Sequence, residues 1–235
     1  MEKNSQRSTS IIIGSSSGIG RALYELYREM KLPVVAVSRS TEWNTDGCVE
    51  ALDLNEEDQV DEKLDSIFKR YHPVREVYLV SGTGDLESDF EPDIALRTIR
   101  LNVNGFTRAA YAASRYFESV QTGHLIGITS VAAVRGSGVA RSYNASKAYQ
   151  SRLLEGIRCH FLKLKLPVQI TEVRPGFVDT AMMKGGDKAF WVSSAGKAAN
   201  QIFRAVRRKQ KTVYVTKRGR LVAWILSILP ERFLG

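Results

Sequence analysis

A short apolar run, a glycine-rich turn and an amphipathic segment follow one another within the first 30 residues of this chain. Residues 10–13 read Ser-Ile-Ile-Ile, which favours a buried strand. The turn Gly14–Gly20 (Gly-Ser-Ser-Ser-Gly-Ile-Gly) comes next, and apolar residues then recur at helical spacing. Glycines at such a junction let the backbone approach a pyrophosphate, which the free N–H groups of the helix N-terminus bind. The sequence therefore predicts a dinucleotide site, with a serine-rich turn that binds no ligand as the alternative.

A second strand is predicted over Pro33–Val37, and it leads directly to Ser38-Arg39. At this point of a dinucleotide-binding fold, an acidic residue binds the ribose 2′-hydroxyl, whereas an Arg accommodates a 2′-phosphate. The first carboxylate after the strand is Glu42, and a guanidinium pairs well with phosphate. Ser38-Arg39 therefore favours NADP(H) over NAD(H), unless Arg39 is an ordinary solvated loop residue.

Strands and helices alternate through the rest of the chain, which predicts an α/β fold with a doubly wound, Rossmann-like parallel sheet in a single domain, 1–235. In such sheets ligands bind at the carboxyl ends of the strands. The further predicted strands are Val49–Leu52, Val77–Val80, Leu125–Thr129, Val168–Val173 and Thr212–Val215. The predicted helices are Glu56–Tyr71, one or two between Asp93 and Val120, Tyr143–Lys165 and Ala195–Arg208.

Tyr143 and Lys147 lie four residues apart on a predicted helix, and Ser130 directly follows the fifth predicted strand. Residues four apart share a helix face. A cation within about 4–6 Å lowers the pKa of a phenol, so this triplet could move a proton on or off an oxygen that Ser130 holds. Tyr-x-x-x-Lys alone is more often a surface pair. Here it falls at the same sheet edge as the glycine turn, which favours a site.

These motifs, in this order, resemble the short-chain dehydrogenase/reductase family, of the NADP(H)-dependent carbonyl reductase kind, over residues 8–215. The resemblance implies an enzyme that transfers a hydride between NADP(H) and a small-molecule carbonyl or alcohol, in the direction of ketone or aldehyde reduction. A cofactor-binding regulatory protein without turnover is the alternative. The resemblance is carried by Gly14-x-x-x-Gly18-Ile19-Gly20, Asp53, Asn102-x-x-Gly105, Ser130, Tyr143-x-x-x-Lys147 and Pro175-Gly176-x-x-x-Thr180.

The resemblance also implies a role for each residue. Tyr143 is expected to be the general acid and base, Ser130 to polarise the carbonyl, and Lys147 to bind the nicotinamide ribose and lower the pKa of Tyr143. Asn102 is expected to help hold a water that links Lys147 to solvent. The other expected cofactor contacts are Gly14, Ser16, Ser17, Gly18, Ile19, Gly20, Ser38, Arg39, Asp53, Leu54, Ser81, Gly82, Pro175, Gly176, Val178 and Thr180.

Three of these assignments have structural alternatives. Asp53 also fits a cap for the helix that follows it, Asn104 competes with Asn102, and Pro175-Gly176 fits an ordinary turn. The chain also departs from the family pattern at two places, Ile13 and the stretch Ser81-Gly82-Thr83-Gly84. Thr is usual at the first and Asn-Asn-Ala-Gly at the second, so the departures bear on cofactor binding and local turns rather than on proton transfer.

The net charge is +9, with much of the excess in residues 204–220. Basic charge can indicate nucleic-acid binding, but no zinc-finger spacing, RNA-binding signature or interleaved aromatics accompany it. We expect no nucleic-acid partner and interpret the basic residues as a solvated surface that attracts anionic cofactors. Two cysteines without a CxxC motif and three histidines predict no metal site. The polar N-terminus predicts a cytoplasmic protein.

Two segments near the C-terminus bear on the substrate and on partners. Residues 181–192 combine apolar side chains with a Gly-Gly pair, which predicts a mobile lid over an apolar substrate. The tail 217–235 contains the apolar run Leu221–Leu229, shorter than the roughly 20 residues that span a bilayer. It is expected to pack on the body or on a partner subunit, with a membrane-surface contact as the alternative. The resemblance implies a homodimer or homotetramer, with interfaces around residues 92–120 and 143–165.

Overall fold

The computed structural model of the protein describes residues 8–44, 49–87, 89–176, 178–179, 193–215 and 217–230. Its strands in this part of the chain are β1 (Thr9–Ile13), β2 (Val34–Ser38), β3 (Val49–Ala51), β4 (Val74–Leu79), β5 (Gly123–Ile128), β6 (Val168–Pro175), β7 (Val178–Asp179), β8 (Ser193–Ser194) and β9 (Thr212–Val215). Its α-helices are α1 (Gly18–Glu29), α2 (Glu57–Arg70), α3 (Pro92–Ile99), α4 (Phe106–Ser119), α5 (Arg141–Lys163), α6 (Ala195–Arg207) and α7 (Lys217–Ile228).

Seven of these strands form one parallel sheet in the order β3-β2-β1-β4-β5-β6-β9, and β7 pairs with β8 apart from it. The chain builds outward from β1 to β3, then returns to place β4 on the other side of β1. This reversal opens a crevice at the carboxyl ends of β1 and β4, where doubly wound sheets bind their ligands. The predicted doubly wound, Rossmann-like fold is confirmed.

Helices cover both faces of the sheet. In β1, Ile11 and Ile13 pack into the core beneath α2, α4 and α5, whereas Ile12 packs into the core beneath α1 and α6. Successive side chains of a strand point to opposite faces, and strands that are buried on both faces read as nearly continuous apolar runs. The uninterrupted Ile-Ile-Ile run at the start of the chain follows from this burial.

Several element boundaries differ from those predicted. β4 starts at Val74 rather than Val77, so that it includes the charged pair Arg75-Glu76. β6 runs on to Pro175, so the predicted turn at Pro175-Gly176 begins inside the strand. The region predicted as one or two helices is α3 and α4 joined without a break by a π-helix, Arg100–Gly105. A 3-10 helix over Val131–Val134 directly follows Ser130 and was not predicted.

The apolar run near the C-terminus lies in α7, which packs against the 3-10 helix and β9. Ala223 is buried, while an outward row of apolar residues at helical spacing is exposed: Leu221, Trp224, Ile225 and Ile228. Among the described residues, no helix has the length and apolar character needed to cross a membrane.

Candidate active site

The glycine turn between β1 and α1 has the tight geometry that its sequence predicts. Gly14 has a φ of +93°, and a Cβ there would lie 2.4 Å from the backbone N of Ser81. A Cβ at Gly20 would lie 2.1 Å from the carbonyl O of Gly14. Only glycine fits these two positions.

The N-terminus of α1 lies at this turn, with Ser17 at the cap position and no side-chain hydrogen bond capping it. Its first N–H groups are thus available to an anion, and the helix dipole favours negative charge there. Ser16 is partly buried, Ser17 is exposed, and Ile19 packs against the core beneath α1. The turn therefore fits the pyrophosphate of a dinucleotide.

The end of β2 presents one buried and one exposed side chain. Ser38 is buried; its hydroxyl donates to the carbonyl of Ser40 and accepts from the indole N–H of Trp43 at 3.1 Å. Arg39 is exposed and has no ion-pair partner among the described residues. Its guanidinium is therefore available to a phosphate at this edge.

Asp53 and Leu54, which follow β3, are held by local contacts. One carboxylate oxygen of Asp53 accepts from the backbone N–H and the side-chain amide of Asn55, at 3.0 and 2.8 Å. Asp53 thus stabilises the turn before α2, although it is not the cap residue, which is Glu56. Leu54 is buried beneath Gly105, where an added Cβ would lie 2.8 Å from the Cβ of Leu54. Because its side chain belongs to the core, only the backbone of Leu54 can contact a cofactor.

The segment Ser81–Gly84, after β4, crosses directly over the catalytic candidates. A Cβ at Gly82 would lie 3.3 Å from Nζ of Lys147 and 3.4 Å from Oδ1 of Asn102. A Cβ at Gly84 would lie 2.7 Å from the Tyr143 ring. Glycine thus stands at both close approaches: Gly84 agrees with the usual family stretch, and Gly82 replaces the usual Asn.

Asn102 lies fully buried on the π-helix and fastens it to the segment after β4. Its side-chain oxygen accepts from the backbone N–H of Thr83 at 2.9 Å. Its side-chain NH₂ donates to the carbonyl of Thr83 at 2.7 Å and to Oγ of Ser146 at 3.0 Å. The competing residue, Asn104, is exposed and donates to Glu57. The structure thus brings Asn102, not Asn104, to the site.

Ser130 and Tyr143 face each other across the junction of β5 and α5. Ser130 is the cap residue of the 3-10 helix, and its Oγ accepts from the backbone N–H of Ala132 at 3.0 Å. Its own O–H is therefore directed to an acceptor in the site. Burial raises the pKa of Tyr143, and a hydrogen bond with Ser130 opposes that rise. Tyr143 is held as a neutral phenol within reach of the Ser130 hydroxyl.

Lys147 lies one helical turn from Tyr143 and is almost fully buried. Its Nζ donates to the carbonyl of Ile128 at 3.2 Å and to Oε1 of Gln150 at 3.0 Å, and lies 5.8 Å from the centre of the Tyr143 ring. Burial lowers the pKa of Lys147 to about 8. The lowering of the Tyr143 pKa that the sequence predicted is not seen, because burial of the phenol dominates and the ammonium is directed to Ile128 and Gln150.

The remaining predicted cofactor contacts follow β6. Pro175 is buried at the end of that strand, and Gly176 is partly exposed. Val178 is buried in the core beneath α6, so its side chain faces the protein interior. Thr180 and the predicted lid, 181–192, lie outside the described residues.

Two residues of this site were not foreseen from the sequence: Ser146 and Gln150. Ser146 links Asn102 to the backbone, since its hydroxyl donates to the carbonyl of Tyr143 at 2.7 Å. Gln150 connects Lys147 with Asn102. One pattern could have pointed to Ser146 and Gln150: the buried face of α5 is polar through its first half and becomes apolar only at Leu154.

The sequence of this chain is similar to a family profile and to sequences of individual proteins. The family profile described as short chain dehydrogenase matches residues 8–189. An uncharacterized oxidoreductase of Staphylococcus epidermidis is 23% identical over 188 residues, covering 75% of this chain and 80% of its own length. One from Staphylococcus aureus is 28% identical over 184 residues, covering 73% and 78%.

Solved structures share the fold at low sequence identity. A short chain dehydrogenase from Burkholderia cenocepacia in complex with NADP has a TM-score of 0.82 and 21% identity, with 96% of this chain and 95% of that one covered. A Sphingobium yanoikuyae enzyme in complex with NADPH has a TM-score of 0.78 and 20% identity, covering 95% and 97%. One from Burkholderia phymatum in complex with NAD has a TM-score of 0.79 and 16% identity, covering 93% and 92%. Because the family profile matches most of the chain, this protein belongs to the short-chain dehydrogenase/reductase family of oxidoreductases.

Proposed function

We propose that this oxidoreductase transfers a hydride between NADP(H) and a carbonyl or alcohol, and that it works as a reductase of ketones or aldehydes. The observation that carries the proposal is the meeting of Ser130, Tyr143 and Lys147 at the sheet edge that also holds the glycine turn. A proton donor, a carbonyl-holding hydroxyl and a buried ammonium beside a dinucleotide cradle match the needs of carbonyl reduction.

Proton transfer is assigned to Tyr143. The O–H of Ser130, whose oxygen already accepts from Ala132, would donate to the substrate oxygen and hold it against the phenol. Tyr143 would then give its proton to that oxygen as negative charge develops there, and would take it back in the reverse direction. Since burial raises the pKa of Tyr143, the phenol stays protonated at neutral pH, which suits reduction.

Lys147 would supply positive charge beside the developing phenolate. With a pKa of about 8 it is mostly an ammonium at neutral pH, and two of its three N–H groups have partners among the described residues. The remaining N–H would bind the nicotinamide ribose. Asn102 would hold the segment Ser81–Gly84 over the site through its bonds to Thr83.

NADP(H), when bound, supplies the hydride. The residues that would hold it are the glycine turn, the N-terminus of α1, the backbone of Ser81-Gly82 and Arg39 at the end of β2. The preference for NADP(H) is supported by the exposed, unpaired guanidinium of Arg39 within the described part of the chain. The structural neighbours include complexes with NADP, NADPH and NAD, so their names support either cofactor.

The substrate lid at 181–192, the cytoplasmic setting and the assembly as a homodimer or homotetramer remain proposals. Assembly through α3, α4 and α5 is supported by large apolar side chains that are exposed on these helices: Leu96, Ile99, Tyr111 and Tyr149. Light scattering during size-exclusion chromatography measures the assembly directly, and a monomer would contradict it.

A panel of ketones and aldehydes with the purified protein, followed by NADPH absorbance, tests the proposed activity. We expect NADPH oxidation that depends on the carbonyl compound. Tight NADPH binding without turnover on any compound would instead support the regulatory alternative.

The choice of cofactor is tested by Arg39→Ala in the same assay. Loss of a charge-assisted bond to the 2′-phosphate should raise the KM for NADPH by about 10–100-fold and leave the KM for NADH nearly unchanged. Arg208→Ala, an exposed arginine at the end of α6, is the matched control. Equal effects of Arg39→Ala on both cofactors would contradict the role of Arg39.

A further inference from the structure

Gln150 is a fully buried amide in the half of α5 that faces the site. It lies three residues after Lys147, on the same helix face. A buried amide is costly unless its polar atoms have hydrogen-bond partners, and an apolar residue would fill the same position at lower cost. We therefore expect the polar atoms of Gln150 to bind groups of the site.

Both ends of the Gln150 amide bind groups of the site. Its Oε1 accepts from Nζ of Lys147 at 3.0 Å, and its Nε2 donates to the backbone carbonyl of Asn102 at 2.8 Å. The amide thus joins the ammonium of α5 directly to the π-helix. The side chain of Asn102 continues the chain of bonds to Thr83, whose segment lies over Lys147. One continuous network therefore fixes the position of the ammonium.

The acceptor that Gln150 offers to Lys147 carries no charge. Burial is the cause of the shifted pKa of Lys147, and none of the described carboxylates neutralises it. Among the described residues on the elements around Lys147, Tyr143 is neutral and Arg135, after the 3-10 helix, is half-buried. The others are exposed or form an ion pair with an opposite charge: Asp85 and Glu87 after β4, Asp93 and Arg97 on α3, Arg100 on the π-helix, Arg108 on α4, and Glu172 with Arg174 on β6.

We propose that Gln150 is a positioning residue of this site: its amide holds the Lys147 ammonium against the π-helix and stabilises its positive charge without cancelling it. A carboxylate at position 150 would hold the ammonium equally well but would neutralise it. An apolar side chain would leave one of its N–H groups without an acceptor. Only a neutral acceptor keeps the full charge available to Tyr143 and to a bound ligand. This inference rests on the proposed function for its catalytic meaning.

Two substitutions of nearly equal length separate this role from simple packing. Gln150→Met removes both polar groups, and Gln150→Glu keeps the oxygen acceptor but adds a charge. The rate of NADPH-dependent reduction should fall at alkaline pH as Lys147 loses its proton. We expect this alkaline limb of the pH–rate profile to move down by about one pH unit in Gln150→Met and up by at least about one unit in Gln150→Glu. At pH 9 the Met variant should then retain about tenfold less of its maximal activity than the wild type.

A purely structural role for Gln150 would lower activity or the melting temperature without moving the limb in opposite directions. Gln59→Met, an exposed glutamine on α2, is the matched control and should leave the limb in place. Unshifted limbs in both Gln150 variants, with circular dichroism showing folded protein, would overturn the proposal.

The role of Gln150 can also be tested by NMR titration of Lys147, which does not depend on the proposed reductase activity. The ¹³Cε resonance of Lys147, assigned by its loss in Lys147→Met, can be titrated in the ligand-free protein. We expect its midpoint to fall in Gln150→Met and to rise in Gln150→Glu. Equal midpoints in the wild type and both Gln150 variants would overturn the role of Gln150 even if reductase activity is found. Opposite shifts would support it even if no carbonyl substrate is found.

Discussion

Two buried polar networks lie on the same sheet, and they differ in whether charge is balanced. Toward the amino ends of the strands, Ser10, Glu76 and His124 are register neighbours on β1, β4 and β5. Glu76 accepts from the hydroxyls of Ser10 and Tyr27 and forms an ion pair with Arg75. At the carboxyl edge, by contrast, the acceptors of Lys147 among the described residues are both neutral, and the backbone of Gly82 and Gly84 passes close to the site.

The pKa values of Glu76 and Lys147 differ in the same way, since only the charge of Glu76 is balanced by described neighbours. Burial alone would raise the pKa of Glu76, but hydrogen bonds from Tyr27 and Ser10 and the charges of Arg75 and Arg207 hold it below its ordinary value. This carboxylate stays charged with its partners in place. Lys147 instead has its pKa lowered by burial, and no described residue supplies a counter-charge. A buried polar network whose charges are balanced stabilises the fold, whereas one that leaves a charge and a donor available to a ligand marks a candidate site.

Replacing one tyrosine with phenylalanine in each network should give the largest difference between the two networks. Tyr143→Phe should lower reductase activity by about 10²–10⁴-fold because the proton donor is lost, while the free energy of unfolding changes by about 1 kcal/mol or less. Tyr27→Phe should do the reverse, since it takes one donor from a buried carboxylate and costs about 1–3 kcal/mol of stability. Initial rates and denaturant titrations measure both effects, and near-normal activity in Tyr143→Phe would contradict its assignment.

Gly84→Ala tests the close approach of the backbone to Tyr143 in the candidate site. The added Cβ would lie 2.7 Å from the Tyr143 ring, so the ring or the loop must shift. Activity should fall by on the order of 10²-fold from displaced geometry, with about 1–3 kcal/mol lost in stability. Gly136→Ala, where a Cβ meets nothing within 4 Å, is the matched control. Equal, small effects of the two substitutions would show that the approach does not constrain Tyr143.

The network around Glu76 and His124 should also make the stability of the fold depend on pH. Thr171 donates its O–H to the carbonyl of Gln210, so it accepts from Nε2–H of His124 at 2.8 Å. Burial lowers the pKa of His124 from 6.5 to about 4. The unfolded chain therefore binds the proton first, and stability is lost as pH falls from about 6.5 towards 4.

Replacing that histidine should remove this loss. Between pH 7 and pH 5 the wild type should lose about 2 kcal/mol more stability than His124→Gln, as measured by denaturant titrations at each pH. His160→Gln, at an exposed position, is the matched control and should keep the wild-type slope. The same slope in His124→Gln would contradict the assignment of a neutral His124.

The fold was largely predictable because its signals are local. Apolar runs, the glycine turn and helical periodicity each depend on neighbouring residues, and they identified the seven parallel strands and their flanking helices. The start of β4 was missed because Arg75-Glu76 reads as solvent-exposed in sequence. In the structure Glu76 is buried, since Ser10 and Tyr27 come from other elements to bind it.

Short-range patterns in the sequence were enough to identify the glycine turn, the alternation of strands and helices, and the placing of Ser130, Tyr143 and Lys147 at one edge of a parallel sheet. The hydrogen bonds that connect the site residues became visible only in the folded structure. The tertiary structure inserted a π-helix at Asn102, and it placed Gln150 between Lys147 and a carbonyl 48 residues away in the chain. It also raised the pKa of Tyr143, where the sequence had predicted a fall. Burial and long-range hydrogen bonds set these properties, and neither is encoded in the spacing of neighbouring residues.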